Sequence, residues 1–437
     1  MSESPWFHLP GLCDCHVHFR EPGLEHKGTM ASEGAAARKG GIVVACDMPN
    51  TVPPTNSFAA LADKVDRAAR VAHLVDMRFY FGVTTASHLA DLEALWTVSD
   101  YASLKARCCG LKLYLEHSTG DMKADDSVVE DAFHLCGKLS IPLVCHCEHC
   151  GVNSDALRQR GWTTVADAPD DVRLHSELRP VRSETQSIAE SIERAARHGA
   201  SLHIAHLSTA EGLRLVTDAR GRGLRVTCEV SPHHLFMSTD DYQTHGTKVK
   251  VNVPLRALTD RDEMWEGLLD GRISCVATDH APHLLTEKEG GPSCGCPVKP
   301  LAAPSGIPGV DAVVPLLVSV ALRQWPHPTS DPPPAVRRMW ASTSFDSPWR
   351  ASVGIVAPSA ADPAAGFMLN VIADAMHYQP NALLRLNLKH SDASLTTAVR
   401  LDTACHAFGP TTIKCGWSPY DGWMVRGRVC RSDDVPA

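Results

Sequence analysis

The chain has 437 residues, and its 42 Lys and Arg against 50 Asp and Glu give a formal net charge of −8. This acidic balance argues against a nucleic-acid-binding protein, which usually carries a basic surplus or a basic stripe. Apolar residues make up 44% of the chain and charged residues 21%. Those values are typical of a globular protein, and the length allows either one large α/β domain with appendages or several smaller domains.

The first part of the chain alternates between short apolar runs and helix-patterned segments. Eight apolar runs are predicted as strands, at residues 11–19, 42–48, 77–83, 110–115, 141–147, 201–207, 225–230 and 274–278. Most are almost wholly apolar, as expected of parallel strands buried on both faces. Strand and helix alternating in this way predict a (β/α)8 TIM-type barrel. The alternative is a doubly wound open sheet, but the chain has no Gly-x-Gly-x-x-Gly turn to favour it.

The pattern changes after about residue 283. Residues 310–322 are predicted to form a helix, and the proline-rich segment 326–334 interrupts regular structure. Residues 367–372, 383–388 and 423–430 are predicted as strands. We therefore expect the barrel to occupy residues 1–340, and a C-terminal extension, 341–437, to form a reduced β-containing appendage that packs on it.

No feature of the sequence predicts export or insertion into a membrane. The first residues, Met-Ser-Glu-Ser-Pro-Trp, lack the basic and apolar regions of a secretory signal. The longest apolar stretch, 310–322, is interrupted by Asp311 and Pro315 and is too short to cross a bilayer. We therefore expect a cytoplasmic protein whose 16 cysteines are reduced thiols.

The strongest chemical signal is His16-Val17-His18, at the end of the first predicted strand. Residues i and i+2 of a strand face the same side, so two imidazoles converge at the mouth of the barrel. Histidine is the commonest metal ligand in proteins. The pair therefore indicates a metal site, although a lone His-x-His is a weak signal.

Four further polar residues lie in or at the ends of the apolar strands. Lys112 lies within the fourth strand, and His146, His206 and Asp279 end the fifth, sixth and eighth. Active sites of barrel enzymes are built at these carboxyl ends. The set therefore predicts one metal centre at the barrel mouth, even though each residue alone would be read as an ordinary core or loop residue.

Lys112 is unusual because Leu111 and Leu113 flank it within the strand. Burying an unpaired ammonium is costly, and burial lowers the pKa of lysine. The neutral amine could react with carbon dioxide to form a carbamate, whose two oxygens could bridge two divalent cations. The alternative, an ion pair with a buried carboxylate, stays open.

These residues resemble those of the binuclear amidohydrolase superfamily, and the surrounding motifs resemble dihydroorotases. The branch includes the dihydroorotase domain of the animal multifunctional pyrimidine protein. The motifs are Pro-Gly-Leu-Cys-Asp-Cys-His-Val-His-Phe-Arg-Glu-Pro-Gly at 10–23, Met-Pro-Asn-Thr at 48–51, Gly-Leu-Lys-Leu-Tyr at 110–114, Pro-His-His-Leu at 232–235, Pro-Leu-Arg at 254–256, Asp-His-Ala-Pro-His at 279–283, Pro-Ser-Gly-Ile-Pro-Gly at 304–309 and Lys-Cys-Gly-Trp-Ser-Pro at 414–419. The resemblance covers about residues 8–320 and 411–430.

The resemblance implies a pair of zinc ions bridged by carbamylated Lys112 and a hydroxide. The other implied ligands are His16, His18 and Asp279 for the first zinc ion, and His146 and His206 for the second. Asp279 would also be the catalytic general acid and base. The implied reaction is the reversible cyclisation of N-carbamoyl-L-aspartate to L-dihydroorotate, in de novo pyrimidine biosynthesis.

The resemblance also implies a substrate subsite. Arg20, Asn50 and His283 would hold the substrate carboxylate, and the backbone near Asn252 and near Ala303 and Pro304 would contact the ring. The expected partner is this small molecule, with no nucleic acid and no membrane. A homodimer is a family-level expectation.

Three further features allow more than one interpretation. The polar segment 116–121 could be a lid over the substrate, with Ser118 and Thr119 as hydroxyl donors, or an ordinary surface loop. The thiols of segment 145–150 are interpreted as packing residues rather than as a separate zinc site. Glu229 and His234 could support the metal ligands or bind an extra metal ion, and support is the favoured role.

Three alternative functions are compatible with a metal-binding barrel of this kind. Allantoinase and dihydropyrimidinase share the metal set, but neither is expected to combine Arg20 with His283. An inactive homologue acting as a scaffold would normally have lost metal ligands, and here all are present. The sequence therefore favours the dihydroorotase reading.

Overall fold

The structure, a computed structural model, describes residues 6–117, 122–290, 299–343, 362–388, 396–409 and 411–435. Eight parallel strands form one sheet in sequence order. They are β2 (Leu12–Val17), β3 (Ile42–Asp47), β4 (Asp76–Gly82), β5 (Cys108–Tyr114), β6 (Leu143–His146), β7 (Leu202–Ile204), β8 (Val226–Val230) and β9 (Cys275–Val276). Each overlaps one predicted strand, which confirms the (β/α)8 prediction.

The last strand returns to the first through a narrow contact. Val17 and His280 form a parallel bridge, and the His18 backbone N–H donates to the His280 carbonyl over 2.7 Å. The sheet is therefore a nearly closed barrel. Because its strands are parallel, their carboxyl ends all open at one mouth.

Helices surround the barrel and continue into the C-terminal part. In chain order they are α1 (Met30–Lys39), α2 (Phe58–Ala69), α3 (Ala86–Thr97), α4 (Ala102–Lys105), α5 (Asp126–Leu139), α6 (Cys150–Arg158), α7 (Leu174–Leu178), α8 (Val181–His198), α9 (Ala210–Gly221), α10 (Pro232–Phe236), α11 (Asp241–His245), α12 (Leu258–Asp270), α13 (Leu285–Glu289), α14 (Val313–Ala321), α15 (Pro334–Ala341), α16 (Pro363–Ala373) and α17 (Gln379–Leu384). Helix α14 confirms the helix predicted at 310–322. No helix in the described ranges combines the length and the apolar character needed to cross a membrane.

A second, antiparallel sheet packs outside the barrel. Its strands are β1 (Trp6–Pro10), β10 (Thr396–Ala407) and β11 (Met424–Arg431), in the order β1-β10-β11. Strand β11 matches the prediction at 423–430, and the sheet confirms a β-containing appendage. The sequence did not predict that Trp6–Pro10 joins it, and the domain boundary at residue 340 stays a prediction.

Two of the predicted strands are wrong. Residues 367–372 lie in helix α16, which Asp362 caps by accepting from the Ala365 backbone N–H and which has Pro363 in its first turn. Residues 383–388 instead contain the end of α17, where Arg385 takes a left-handed conformation. In both places a short apolar run is buried by a helix or a loop, which periodicity alone cannot distinguish from a strand.

The core has two layers. The larger layer lies between the strands and the surrounding helices, and the smaller fills the barrel interior. Buried thiols are prominent in the interior, among them Cys13, Cys46 and Cys109, and Leu384 and Leu386 pack against them. The described cysteines are all free thiols; Cys145 and Cys147 are buried, as predicted for packing residues, whereas Cys405 is exposed.

Candidate active site

One pocket opens at the carboxyl ends of the barrel strands. Its lining residues are His16, His18, Arg20, Asn50, Lys112, Tyr114, His146, His206, Asn252, Asp279, Ala281, Ser305 and Gly306. The fold therefore brings every predicted metal ligand to one place, from strands far apart in the sequence. The pocket also receives Arg20, Asn50 and Asn252 from the predicted substrate subsite.

The first group of candidate ligands is centred on Asp279. The Nε2 atoms of His16 and His18 lie 3.2 and 3.0 Å from Oδ1 of Asp279. His16, His206 and Asp279 each offer a ligand atom within 4.8 Å of the others. Burial alone raises the pKa of Asp279, but His16 and His18 outweigh it and hold that pKa well below its usual range. Asp279 is therefore an ionised carboxylate at neutral pH.

The second group pairs His146 with His206, whose Nδ1 and Nε2 atoms are 3.0 Å apart. On the other side of the His146 ring, Nε2–H donates to Glu148 over 2.8 Å, and Arg179 donates to the same carboxylate oxygen. Burial lowers the pKa of both histidines. Neutral imidazole is the form that binds metal ions, and the Glu148 contact leaves the Nδ1 lone pair of His146 facing His206.

Glu229 supports His16 from within the barrel. Its carboxylate accepts from His16 Nδ1 over 2.5 Å and from His203 Nε2 over 3.0 Å. The contact fixes the tautomer of His16, so that Nε2 faces Asp279. His234, the other predicted supporting residue, donates from Nε2 to the Val253 carbonyl over 3.2 Å.

Lys112 is wholly buried, and its Nζ has no hydrogen-bond partner among the described residues. Its Nζ lies over the ring of Tyr114, 5.0 Å from the ring centroid. Burial lowers the pKa of Lys112, and no described carboxylate forms an ion pair with it. Lys112 therefore brings an amine, without a hydrogen-bond partner in the described part of the chain, into the same pocket lining as the four histidines and Asp279. Imidazole and carboxylate groups of this kind can hold a metal ion.

Three pocket residues have strained backbones. Arg20, His206 and Asp279 have φ angles of 71°, 35° and 48°, in the left-handed region that non-glycine residues rarely adopt. Such strain persists only where surrounding structure enforces it, and it is concentrated at functional sites. Here it turns three polar side chains from strand ends into one pocket.

Some of the predicted substrate residues line the pocket, and others lie behind its lining. Arg20 lines the pocket, while its Nε donates to the Pro282 carbonyl over 3.0 Å and its Nη2 to His283 Nε2 over 3.0 Å. His283 is wholly buried behind Arg20 and is not part of the pocket lining. Asn50 lines the pocket and accepts from His18 Nδ1 over 2.6 Å.

Ala303 and Pro304 are also set back from the pocket. Their carbonyl oxygens accept hydrogen bonds from Lys250 and Lys288, over 2.6 and 2.9 Å. The next residues along the chain, which the sequence did not single out, line the pocket instead: Ser305 and Gly306. Both residues belong to the motif at 304–309. The motif indicated that this segment lies at the pocket, but it did not indicate which of its residues line it.

Tyr114 and Ala281 also line the pocket without having been predicted. Tyr114 is two residues from Lys112 on the same strand, so strand periodicity could have identified it. The lid candidates Ser118 and Thr119 lie outside the described residues.

Comparison with known proteins gives the family of the chain. A family model described as Dihydro-orotase-like matches residues 7–212. A dihydroorotase from Halobacterium salinarum is 38% identical over 317 residues, which cover 72% of this chain and 67% of that protein. A dihydroorotase from Staphylococcus epidermidis is 33% identical over 329 residues, covering 72% of this chain and 68% of that protein. The chain belongs to the dihydroorotase family.

The barrel also resembles solved structures of related enzymes. The L-hydantoinase (dihydropyrimidinase) from Arthrobacter aurescens matches with a TM-score of 0.75 and 22% identity, over 97% of this chain and 82% of that one. A dihydropyrimidinase from Brevibacillus agri NCHU1002 matches with a TM-score of 0.73 and 18% identity, over 97% and 82%. At this identity the likeness establishes the shared fold, while family membership rests on the sequence relatives.

Proposed function

We propose that this chain is a dihydroorotase that interconverts N-carbamoyl-L-aspartate and L-dihydroorotate in de novo pyrimidine biosynthesis. The observation that carries the proposal is the shared pocket of Arg20 and the histidine, lysine and aspartate cluster. A buried guanidinium beside a hydrolytic centre suits a cyclic amide that carries a carboxylate. Family membership supports the same reaction.

We infer that two zinc ions would occupy the cluster. The residues that would hold them are His16, His18 and Asp279 for one ion, His146 and His206 for the other, and a carbamylated Lys112 between them. Bound there, divalent ions supply Lewis-acid polarisation of a carbonyl and a water of lowered pKa. The unpartnered, buried Nζ of Lys112 supports the carbamate, because the modification removes the cost of burying a lone amine.

Asp279 is the proposed acid and base. Its pKa is held low by His16 and His18, so it is ready to accept a proton from the attacking water. In ring opening it then gives that proton to the departing ring nitrogen, and in cyclisation the same transfers run in reverse. Its contacts with His16 and His18 support this role, because they keep the carboxylate inside the pocket.

Arg20 binds and orients the substrate in this proposal. Its contacts with Pro282 and His283 fix the guanidinium, so less freedom is lost when it pairs with a carboxylate. The rival substrates allantoin and dihydrouracil have no carboxylate for this group. An inactive scaffold would need no complete ligand set, whereas every predicted ligand lines the pocket. Cytoplasmic location and a homodimer stay predictions.

The proposal is tested by measuring enzymatic turnover together with the amount of zinc bound per chain. The purified chain is stripped with a chelator and reloaded with zinc, bound zinc is measured per chain, and ring opening of dihydroorotate is followed by absorbance. Two zinc ions per chain with turnover are expected. Asp279→Asn should remain folded and lose about 10²- to 10⁴-fold in kcat, as expected for removal of a general acid and base.

A matched control is Asp218→Asn, whose side chain is 60% exposed on helix α9. It should behave as the unmodified chain. Zinc binding without dihydroorotate turnover would overturn the proposed reaction, and an active Asp279→Asn would overturn the role of Asp279.

A further inference from the structure

Two lysine side chains are buried directly behind the pocket wall formed by Ser305 and Gly306. Lys288, on helix α13, is 0% exposed, and Lys250 is 5% exposed. Neither forms an ion pair with a carboxylate in the described parts of the chain. Two buried amino groups without a carboxylate partner are costly, so their retention beside a pocket calls for a role.

Burial lowers the pKa of Lys288, but the three acceptors around its Nζ favour the protonated form. Its Nζ donates to the carbonyl oxygens of Lys250, Pro304 and Gly306, over 3.0, 2.9 and 3.0 Å. Only an ammonium carries three N–H donors, whereas a neutral amine would direct its lone pair at one of these oxygens. Lys288 therefore holds its positive charge against backbone carbonyls alone.

Lys250 completes the arrangement from the other side. Its Nζ donates to the Ala303 carbonyl over 2.6 Å and to Ser305 Oγ over 3.1 Å. The Gly306 backbone N–H donates back to the Lys250 carbonyl over 3.0 Å. The two lysines thus join segment 303–306 to the chain beside Asn252, and both joined segments line the pocket.

The amino groups of this pair lie close to the pocket. Each Nζ bonds directly to a residue of the lining, Lys250 to Ser305 and Lys288 to Gly306. Burial lowers the pKa of Lys250 to about 7, so this amine is partly charged at neutral pH, and the charge of Lys288 is supported by its three accepting carbonyls. Charges buried in protein are screened far less than charges at the surface. Together with Arg20, which is also buried, they make one side of the pocket electropositive. A carboxylated ring gains from this potential, and a neutral ring does not.

We propose that Lys250 and Lys288 are positioning residues that determine specificity. They hold segment 303–306, and with it the pocket wall of Ser305 and Gly306, and they make the pocket select an anionic cyclic amide over a neutral one. The proposal rests on the function proposed above for the same pocket. It concerns residues that contact the pocket wall, not the reacting atoms.

The test compares two ring ligands that differ by the carboxylate. Orotate and uracil are titrated as competitive inhibitors of dihydroorotate hydrolysis by the zinc-loaded chain, for Lys288→Met, Lys250→Met and the control Lys248→Met. Lys248 lies in the same segment but is half-buried and paired with Glu289. For Lys288→Met we expect orotate inhibition and KM for dihydroorotate to weaken about 10- to 100-fold, equivalent to about 1.4–2.8 kcal/mol. Uracil inhibition, kcat and the control should change less than about threefold.

Equal weakening of orotate and uracil, or a fall in kcat with KM unchanged, would show a merely structural role and overturn the proposal. An unchanged orotate constant in a folded Lys288→Met would also overturn it. If Lys288→Met does not fold, two other variants test the proposal. The selectivity for orotate over uracil should fall in Lys250→Met and be largely retained in the charge-conserving Lys288→Arg. Absence of dihydroorotate turnover by the unmodified chain would refute the proposed function instead, and direct calorimetric titration with orotate and uracil would still test the selectivity.

Discussion

Replacing Glu229 by glutamine alters the hydrogen bonds that support the candidate metal centre but leaves every proposed ligand in place. The carboxylate is 1% exposed. One oxygen accepts from His16 Nδ1 and the His206 backbone N–H, and the other accepts from His203 Nε2 and the Cys15 thiol. A glutamine keeps one accepting oxygen and turns the other into an NH₂ group, which cannot accept. One of the two imidazole N–H groups must then face another donor.

The magnitude follows from these contacts. Losing one hydrogen bond to a buried charged group costs about 1.5–3 kcal/mol of unfolding free energy. If the amide oxygen stays with His16, the loss falls on His203; otherwise it falls on the candidate ligand itself. Removing a contact that orients a metal ligand typically weakens metal affinity about 10- to 100-fold. We expect both effects in Glu229→Gln, because an oxygen that stays with His16 is then a neutral amide oxygen rather than a carboxylate oxygen.

The assays are urea unfolding of the metal-free protein and zinc competition with a chromophoric chelator. Glu193→Gln is the control, since Glu193 is 58% exposed and pairs only with Arg222 at the surface; it should change neither quantity measurably. A Glu229→Gln variant with unaltered zinc affinity and with stability within about 0.5 kcal/mol of the unmodified chain would refute the reasoning.

Three further predictions follow from the structure. Arg20→Met should lower kcat/KM for dihydroorotate at least about 30-fold in steady-state assays, since truncating one partner of a buried charge pair costs about 2–5 kcal/mol, and uracil inhibition should be unaffected. Burial lowers the pKa of His18 and His233 to about 4, whereas unfolded histidine titrates near about 6.5. As pH drops from about 6.5 towards 4, the unfolded chain therefore binds these protons before the folded chain does. The free energy of unfolding of the metal-free protein, measured in urea, should fall over that range. The fall should be less steep in His233→Gln, which lacks one of the two titrating groups. Trp265→Ala, which empties a fully buried site and removes a 2.6 Å hydrogen bond to the Leu235 carbonyl, should lower the unfolding free energy by about 3–5 kcal/mol with KM unchanged.

The barrel was predictable because its strands are short apolar runs separated by helical patterns, and because parallel strands share one open end. His16, His146 and Asp279 could be grouped before any coordinates, since each ends a predicted strand. The antiparallel sheet was only partly predictable. The pairing of Trp6–Pro10 with β10 joins opposite ends of the chain, and no local pattern carries that information.

The residues behind the pocket lining were harder to predict than the lining itself. His283, Lys250 and Lys288 act through contacts between segments that follow the strands. Those contacts depend on how the segments pack rather than on strand register. Motif resemblance located His283 and segment 303–306, but the structure sets His283 behind Arg20 and turns Gly306 into the pocket. The supporting lysines carried no sequence signal apart from their charge.

The proposed reaction is the reversible ring opening of a cyclic amide that carries a carboxylate. A steady-state comparison of L-dihydroorotate, dihydrouracil and allantoin as substrates of the zinc-loaded chain tests it. We expect rapid turnover of L-dihydroorotate, with kcat/KM for the two uncarboxylated rings lower by at least about 30-fold, the loss expected when Arg20 has no partner. Equal or faster turnover of dihydrouracil or allantoin would contradict it.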